Sequence, residues 1–150
     1  MVTAQQIKEL RDKTGVSVSA CKKALEETAG DMNKALDVLQ RESAKSAEKK
    51  ADRTLGAGVV EAYVHNNKKT GVLVELKSES DFVSGNEEFR TLAKDIAMHI
   101  VASSPLDVNE LIDQPYIKNP SITIKELVNQ AIQKFGEKIE ISKFSRYNLS

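Results

Sequence analysis

Gly71-Val72-Leu73-Val74-Glu75-Leu76, then Ser80-Asp81-Phe82-Val83, then an amphipathic pattern from Asn86 onward form the stretch on which the fold turns. The first run is β-rich. The last places Phe89, Leu92, Ala93, Ile96 and Ile100 on one helical stripe, which Met98 and Val101 widen. A strand therefore passes through a short link into a well-buried helix. In that link a carboxylate stands beside a large aromatic, a pair poorly suited to a core and well placed to project. Asp81 and Phe82 together can offer a negative charge and a hydrophobic wedge to a partner. The competing reading puts Phe82 in the core at the strand end and makes Asp81 the cap of the next helix. Pattern alone leaves both open.

Upstream, Val59-Val60-Glu61-Ala62-Tyr63-Val64 is a second β-rich run, and the polar residues His65 to Gly71 join it to the first as a hairpin. Downstream, Ser103-Ser104-Pro105 breaks the helix. The segment from Leu106 to Ile122, with Pro115 and Pro120, reads as irregular or as one short turn of helix. Thr123-Ile124-Lys125-Glu126 is a capping box opening a helix with Leu127, Ala131, Ile132 and Phe135 inward, closed by Gly136. The tail from Lys138 to Tyr147 alternates like a strand. It completes an antiparallel three-stranded sheet backed by two helices, and strands and helices without a βαβ rhythm give an α+β class.

The N-terminal part has a different period. Thr3 to Gln6 fits a capping box for a helix carrying Ile7 and Leu10 on one face, and Gly15 ends it. A second helix follows Ser17, with Val18, Cys21 and Leu25 at helical spacing, and stops at Gly30. Asp31 caps a third, with Met32, Ala35, Leu36 and Leu39 facing inward. Residues 1–40 thus read as a compact three-helix docking module. Arg41 to Arg53 is helix-prone but holds almost nothing apolar larger than Ala, so residues 41–55 are expected to be a solvated helical linker. Residues 56–150 form the α+β core.

Composition removes several functions. Twenty-two Lys and Arg balance twenty-two Asp and Glu, so no global field draws the chain onto nucleic acid or an anionic membrane. No apolar run approaches a membrane span. No signal-peptide core is present, and Glu9 and Asp12 argue against a transit peptide, so a cytoplasmic location is expected. The single cysteine, Cys21, excludes an internal disulfide framework and a multi-cysteine metal site. Gly56 and Gly58 lack the Lys-Ser/Thr ending of a phosphate loop. The two histidines, His65 and His99, have no Ser, Cys or carboxylate arranged with them as a triad. No catalytic residue, cofactor or metal is expected, and the chain reads as one that acts on another protein.

Two spaced signatures then point further. Lys8-Glu9-Leu10-Arg11-Asp12-Lys13-Thr14-Gly15, followed by Cys21-Lys22-Lys23-Ala24-Leu25 and Gly30-Asp31, resembles the N-terminal signature of the elongation factor Ts family. Ser80-Asp81-Phe82-Val83 with Asn86 and Phe89 resembles the second, and Ile139 to Tyr147 is similar to the closing strand. The resemblance covers nearly the whole chain. It implies a nucleotide-exchange factor for the GTPase elongation factor Tu, with a ubiquitin-associated-type N-terminal module docking on that GTPase. By position, Lys8, Arg11, Val18 and Ser19 would lie on the docking face. Ser80, Asp81, Phe82 and Val83 would contact the GTPase, with the pair Asp81 and Phe82 intruding beside the nucleotide's magnesium site. The chain departs from the family pattern at Ala20, where Asp is common, at Ser80, which replaces Thr, at Ser84-Gly85, where a small and a basic residue are common, and at Val18-Ser19, which replaces a methionine pair. Longer members carry two related core halves and this chain has room for one, so a homodimer that rebuilds the pair is expected. The rival reading is a ubiquitin-associated-type adaptor without exchange activity, which leaves Asp81-Phe82 unexplained. A small hydrolase is a distant third.

Overall fold

The computed structural model describes residues 1–149. Three helices come first: α1 (Ala4–Thr14), α2 (Val18–Glu27) and α3 (Met32–Lys49). Each begins on a side-chain cap, Thr3, Ser17 and Asp31 respectively, and Thr3 and Gln6 close a full capping box. Gly15 ends α1 at φ 70°, a left-handed conformation that a Cβ would strain. Leu10, Val16, Cys21, Ala24, Leu25, Ala35 and Leu39 form the core of this module. Burial pushes the Cys21 thiol pKa up, against opposing effects from the Thr14 hydroxyl and Arg11, which suits an inert packing residue.

Two expectations for this region need correction. Val18 does not share the buried stripe of Cys21 and Leu25: it is half exposed, at 50%. The buried valine is Val16, one residue before the cap Ser17, and both Val16 and Cys21 lie in the module's core. Cys21 is the fourth residue of α2, so the pair is a hydrophobic staple, which helical periodicity alone does not reveal. The segment after residue 40 is not wholly solvated. Ser43 is buried, and its hydroxyl donates to the Gln133 side chain while Ala47 packs against the main core. Small side chains let α3 approach another helix closely, so burial here needs no large apolar residue.

The core domain opens with the hairpin β1 (Ala57–Val64) and β2 (Thr70–Ser78). It continues through one helical turn, α4 (Asp81–Ser84), and the long α5 (Glu87–Ser103). Then come α6 (Val108–Asp113), the short strands β3 (Pro115–Tyr116) and β4 (Asn119–Thr123), α7 (Ile124–Phe135) and β5 (Glu140–Asn148). The main sheet has order β1-β2-β5 and is antiparallel throughout, so the α+β class stands. Residue Ser142 is the extra residue of a bulge in β5 opposite Glu75 and Leu76, and its hydroxyl donates to the Glu75 carboxylate at 2.7 Å. That bond is the main reason the Glu75 pKa lies below the usual carboxylate value. One sheet face carries Val72, Val74 and Leu76 into a core with Phe89, Ile96 and Ile100 of α5, and Val128 and Ile132 of α7. The other face is open.

The segment from Leu106 to Ile122 departs from the expectation of irregular chain: beyond the turn α6 it holds the β3–β4 hairpin. Two prolines hid it, yet both sit in a two-stranded ribbon, where edge positions tolerate a missing N–H. His99, fully buried on α5, holds the β3–β4 connection. The Ile117 N–H donates to its Nδ1 at 3.2 Å, and its Nε2 pairs with Gln114 Oε1 at 2.9 Å. The ring is therefore neutral with its proton on Nε2. Burial lowers its pKa below the ordinary 6.5, with Gln114 opposing. Nearby, Asp95 pairs with Lys118 at 2.8 Å, and burial, then Asp95, pushes the Tyr116 hydroxyl up to about 12. A lowered histidine pKa gives stability that is full above 6.5 and is lost as pH falls from there through the folded value. Melting temperatures at pH 7.5 and 5.5 are expected to show a larger acid loss for the wild type than for His99→Gln.

Candidate protein-binding surface

The turn α4 stands where strand β2 leaves the sheet. Ser80 caps it, its hydroxyl accepting from the Val83 N–H at 3.4 Å, while Gly85 N–H closes it onto Asp81 C=O at 2.9 Å. Asp81 is thus not the cap, and the core reading of Phe82 fails. The Phe82 ring is 87% exposed, and Asp81 is exposed with no ion pair among the described residues. Val83, grouped with them as a contact residue, is instead 4% exposed and belongs to the main core. One turn of helix explains the split, since adjacent side chains diverge by roughly 100° around the axis. Phe82 and Val83 point opposite ways for that reason.

Two glutamates that sequence reasoning missed hold the turn. Glu137, just after α7, accepts the N–H groups of Glu79 and Ser80 on one carboxylate oxygen at 3.2 and 3.0 Å. Its other oxygen accepts the Ser80 hydroxyl at 2.6 Å. In the opposite sense, Glu79 accepts the Lys138 N–H at 2.5 Å and the Arg53 guanidinium at 3.3 Å. The Lys138 N–H, with a smaller contribution from Arg53, holds the Glu79 carboxyl below its usual pKa. By sign, the stabilisation this gives is present above the ordinary carboxylate pKa and is lost as pH falls through the folded value. Gly136, at φ 73°, ends α7 and turns the chain so that Glu137 and Lys138 reach this clasp. The only sequence signal was a polar pair after a helix-stop glycine, which reads as solvated loop.

The remaining candidates lie on the helical module. Lys8 and Arg11 are exposed and three residues apart on α1, so they share one face. Val18 and Ser19 are exposed at the first turn of α2, and the Ser19 hydroxyl lies 3.2 Å from that of the cap Ser17. These four residues and the α4 turn are carried on separate cores. α3 bridges those cores, since its first half packs within the module and Ser43 and Ala47 pack on the other.

The family model described as Elongation factor TS matches residues 3–110 and 79–150. The chain belongs to the elongation factor Ts family. An elongation factor Ts of Thermodesulfovibrio yellowstonii is 38% identical over 192 positions, spanning 99% of this chain and 96% of that protein. Those of Carboxydothermus hydrogenoformans and Acetivibrio thermocellus are 39% and 38% identical, spanning 99% and 98% of this chain and 89% of each relative. The alignments exceed the 150 residues of this chain, so these elongation factor Ts relatives carry additional residues within the matched region. Family membership makes this a translation elongation factor. No helix among the described residues is long and apolar enough to cross a membrane.

Proposed function

We propose that this chain accelerates GDP release from elongation factor Tu by inserting Phe82, with Asp81 beside it, next to the magnesium and phosphate site of that GTPase. The observation that carries the reading is an aromatic ring 87% exposed on a turn held by three hydrogen bonds to one distant carboxylate. An exposed phenylalanine is unfavourable in water, and a few buried aromatics usually carry most of an interface's energy. GDP is held by phosphate contacts and a Mg²⁺ bridge, so displacing the elements around them removes much of the binding energy. A factor that binds the emptied GTPase better than the loaded one must, by linkage, weaken GDP by the same factor. No bond is made or broken by the factor itself. Lys8, Arg11, Val18 and Ser19 serve as the docking face, and the cytoplasm, where the GTPase works, is the place of action. The test is release of a fluorescent GDP analogue from elongation factor Tu, chased with excess GDP, with and without this chain. An unchanged release rate overturns the proposal and leaves the adaptor reading.

We propose also that the active form is a homodimer joined through the open sheet face, residues 56–150 acting as core and dimerisation domain and residues 1–40 as docking module. What supports this is an apolar area on the face away from α5, with Val60, Val64, Leu73 and Tyr147 exposed at 66, 55, 47 and 69%. Register puts Ala62, Leu73 and Ser145 side by side across it, and Val64, Gly71 and Tyr147 in the next row. Val60 shares its row with the charged Glu75 and Lys143, and exposed apolar residues grouped beside such a charged edge mark an interaction surface. Sedimentation at micromolar concentration is expected to give a dimer for the wild type and a monomer for Leu73→Glu. A wild-type monomer that still drives exchange removes the dimer.

A further inference from the structure

We infer that Glu137 is the positioning residue for Phe82: its carboxylate, crossed with that of Glu79, fixes the angle at which the aromatic ring is offered to the GTPase. This rests on the exchange-factor reading and names the group that makes its central side chain effective. Phe82 packs on almost nothing in its own chain, so its direction is set by the backbone that carries it. That backbone is one turn of four residues, and a single turn has no helical cooperativity with which to hold itself. Its order must come from outside.

Two anchors supply that order, one on each side of the ring. After it, the Val83 side chain is sunk in the main core. Before it, Glu137 takes the Glu79 N–H, the Ser80 N–H and the Ser80 hydroxyl, while the buried Ser78 hydroxyl donates to the Ser80 C=O at 3.0 Å. The carboxylate comes from 57 residues further along the chain, at the junction of α7 and β5. Three donors converging on one ionised group define a position more tightly than a single bond, and charge-assisted bonds are the stronger class. Glu79 returns the grip by accepting the Lys138 N–H, so neither strand end can shift without breaking bonds in both directions. Arg53 donates to both Glu79 and the Gly136 carbonyl and pairs with the Glu79 charge. An exposed ring needs no such arrangement for folding alone, since it buries nothing. The clasp serves the direction of the side chain.

A double-mutant cycle in fluorescent-GDP release separates positioning from stability. Rates are measured at a temperature where circular dichroism shows all variants folded. Glu137→Ala is expected to lower the saturated exchange rate roughly tenfold, with half-saturating concentration moved by no more than about twofold. In the Phe82→Ala background the same change is expected to do nothing further, because there is no ring left to aim. Glu137→Gln, whose amide oxygen still accepts the Ser80 N–H, is expected to recover part of the rate. A Glu137→Ala loss of equal size in both backgrounds, or none in either, overturns the inference. Should the wild type itself fail to release GDP, the exchange reading falls and the clasp is judged by amide hydrogen exchange. Faster exchange from Glu79 to Val83 in Glu137→Ala, with the β2–β5 ladder unchanged, supports the clasp, and unchanged protection there refutes it.

Discussion

Phe82→Ala is expected to leave the fold intact and to slow nucleotide release about thirtyfold or more, the equivalent of about 2 kcal/mol or more of lost anchor binding. The two halves of that expectation come from the same number. A side chain 87% exposed makes no core contact in its own subunit, so its truncation changes stability by about 0.5 kcal/mol or less. On the proposed reading, the ring's contribution goes to the partner. Fluorescent-GDP release and a melting curve on the same preparation check both halves. The adjacent residue supplies the control. Val83, 4% exposed, loses core packing when changed to Ala, at roughly 1–3 kcal/mol of stability, the cost that Phe82→Ala avoids. A Phe82→Ala protein that releases GDP at the wild-type rate removes the wedge.

The parts of the fold that were legible in the sequence are those written by local chemistry. Thr3 with Gln6 and Thr123 with Glu126 form capping boxes, and Gly15 and Gly136 close their helices in the left-handed region. Such signals lie within a few residues of one another, and no tertiary context is needed to read them. The alternating runs of β1, β2 and β5 were equally clear, because one sheet face is buried and the other open.

What escaped was written at long range or in small print. Val16 won the place expected of Val18 because a staple acts across the helix cap, where periodicity has not yet begun. Ser43 and Ala47 bury a helix face by closeness of approach, so a search for large apolar residues passes over them. Glu79 and Glu137 look like ordinary solvated carboxylates until the α7–β5 junction brings them together. At the candidate site, the motif Ser80-Asp81-Phe82-Val83 could be located by eye, but its four residues have three different duties. Ser80 is the cap, Asp81 and Phe82 project, and Val83 is a core peg.

The same signature also joins Phe82 to Phe89, and the second aromatic carries the largest expected effect on stability. Phe89 is completely buried on α5, edge-on to Phe135 of α7 with ring centroids 6.2 Å apart and planes at 75°. That arrangement couples the two helices that back the sheet, and the edge-to-face pair adds to simple area burial. Phe89→Ala opens a cavity that the surrounding Ala93, Ile96 and sheet residues fill only in part, so the expected loss is about 3–5 kcal/mol. A domain of this size holds about 5–15 kcal/mol in total. Much of the margin goes with one ring. Urea titration followed by circular dichroism is expected to show a large fall in midpoint with little change in slope, the mark of lost stability rather than altered compactness. Phe89→Leu, which keeps most of the volume, is expected to lose less than half as much. In exchange assays Phe89→Ala should act only through its unfolded fraction, so that rates per folded molecule match the wild type at low temperature. Phe82→Ala shows the complementary pattern, with the midpoint kept and the rate per folded molecule lost. A Phe89→Ala protein as stable as the wild type would mean that α5 and α7 are not joined through this pair.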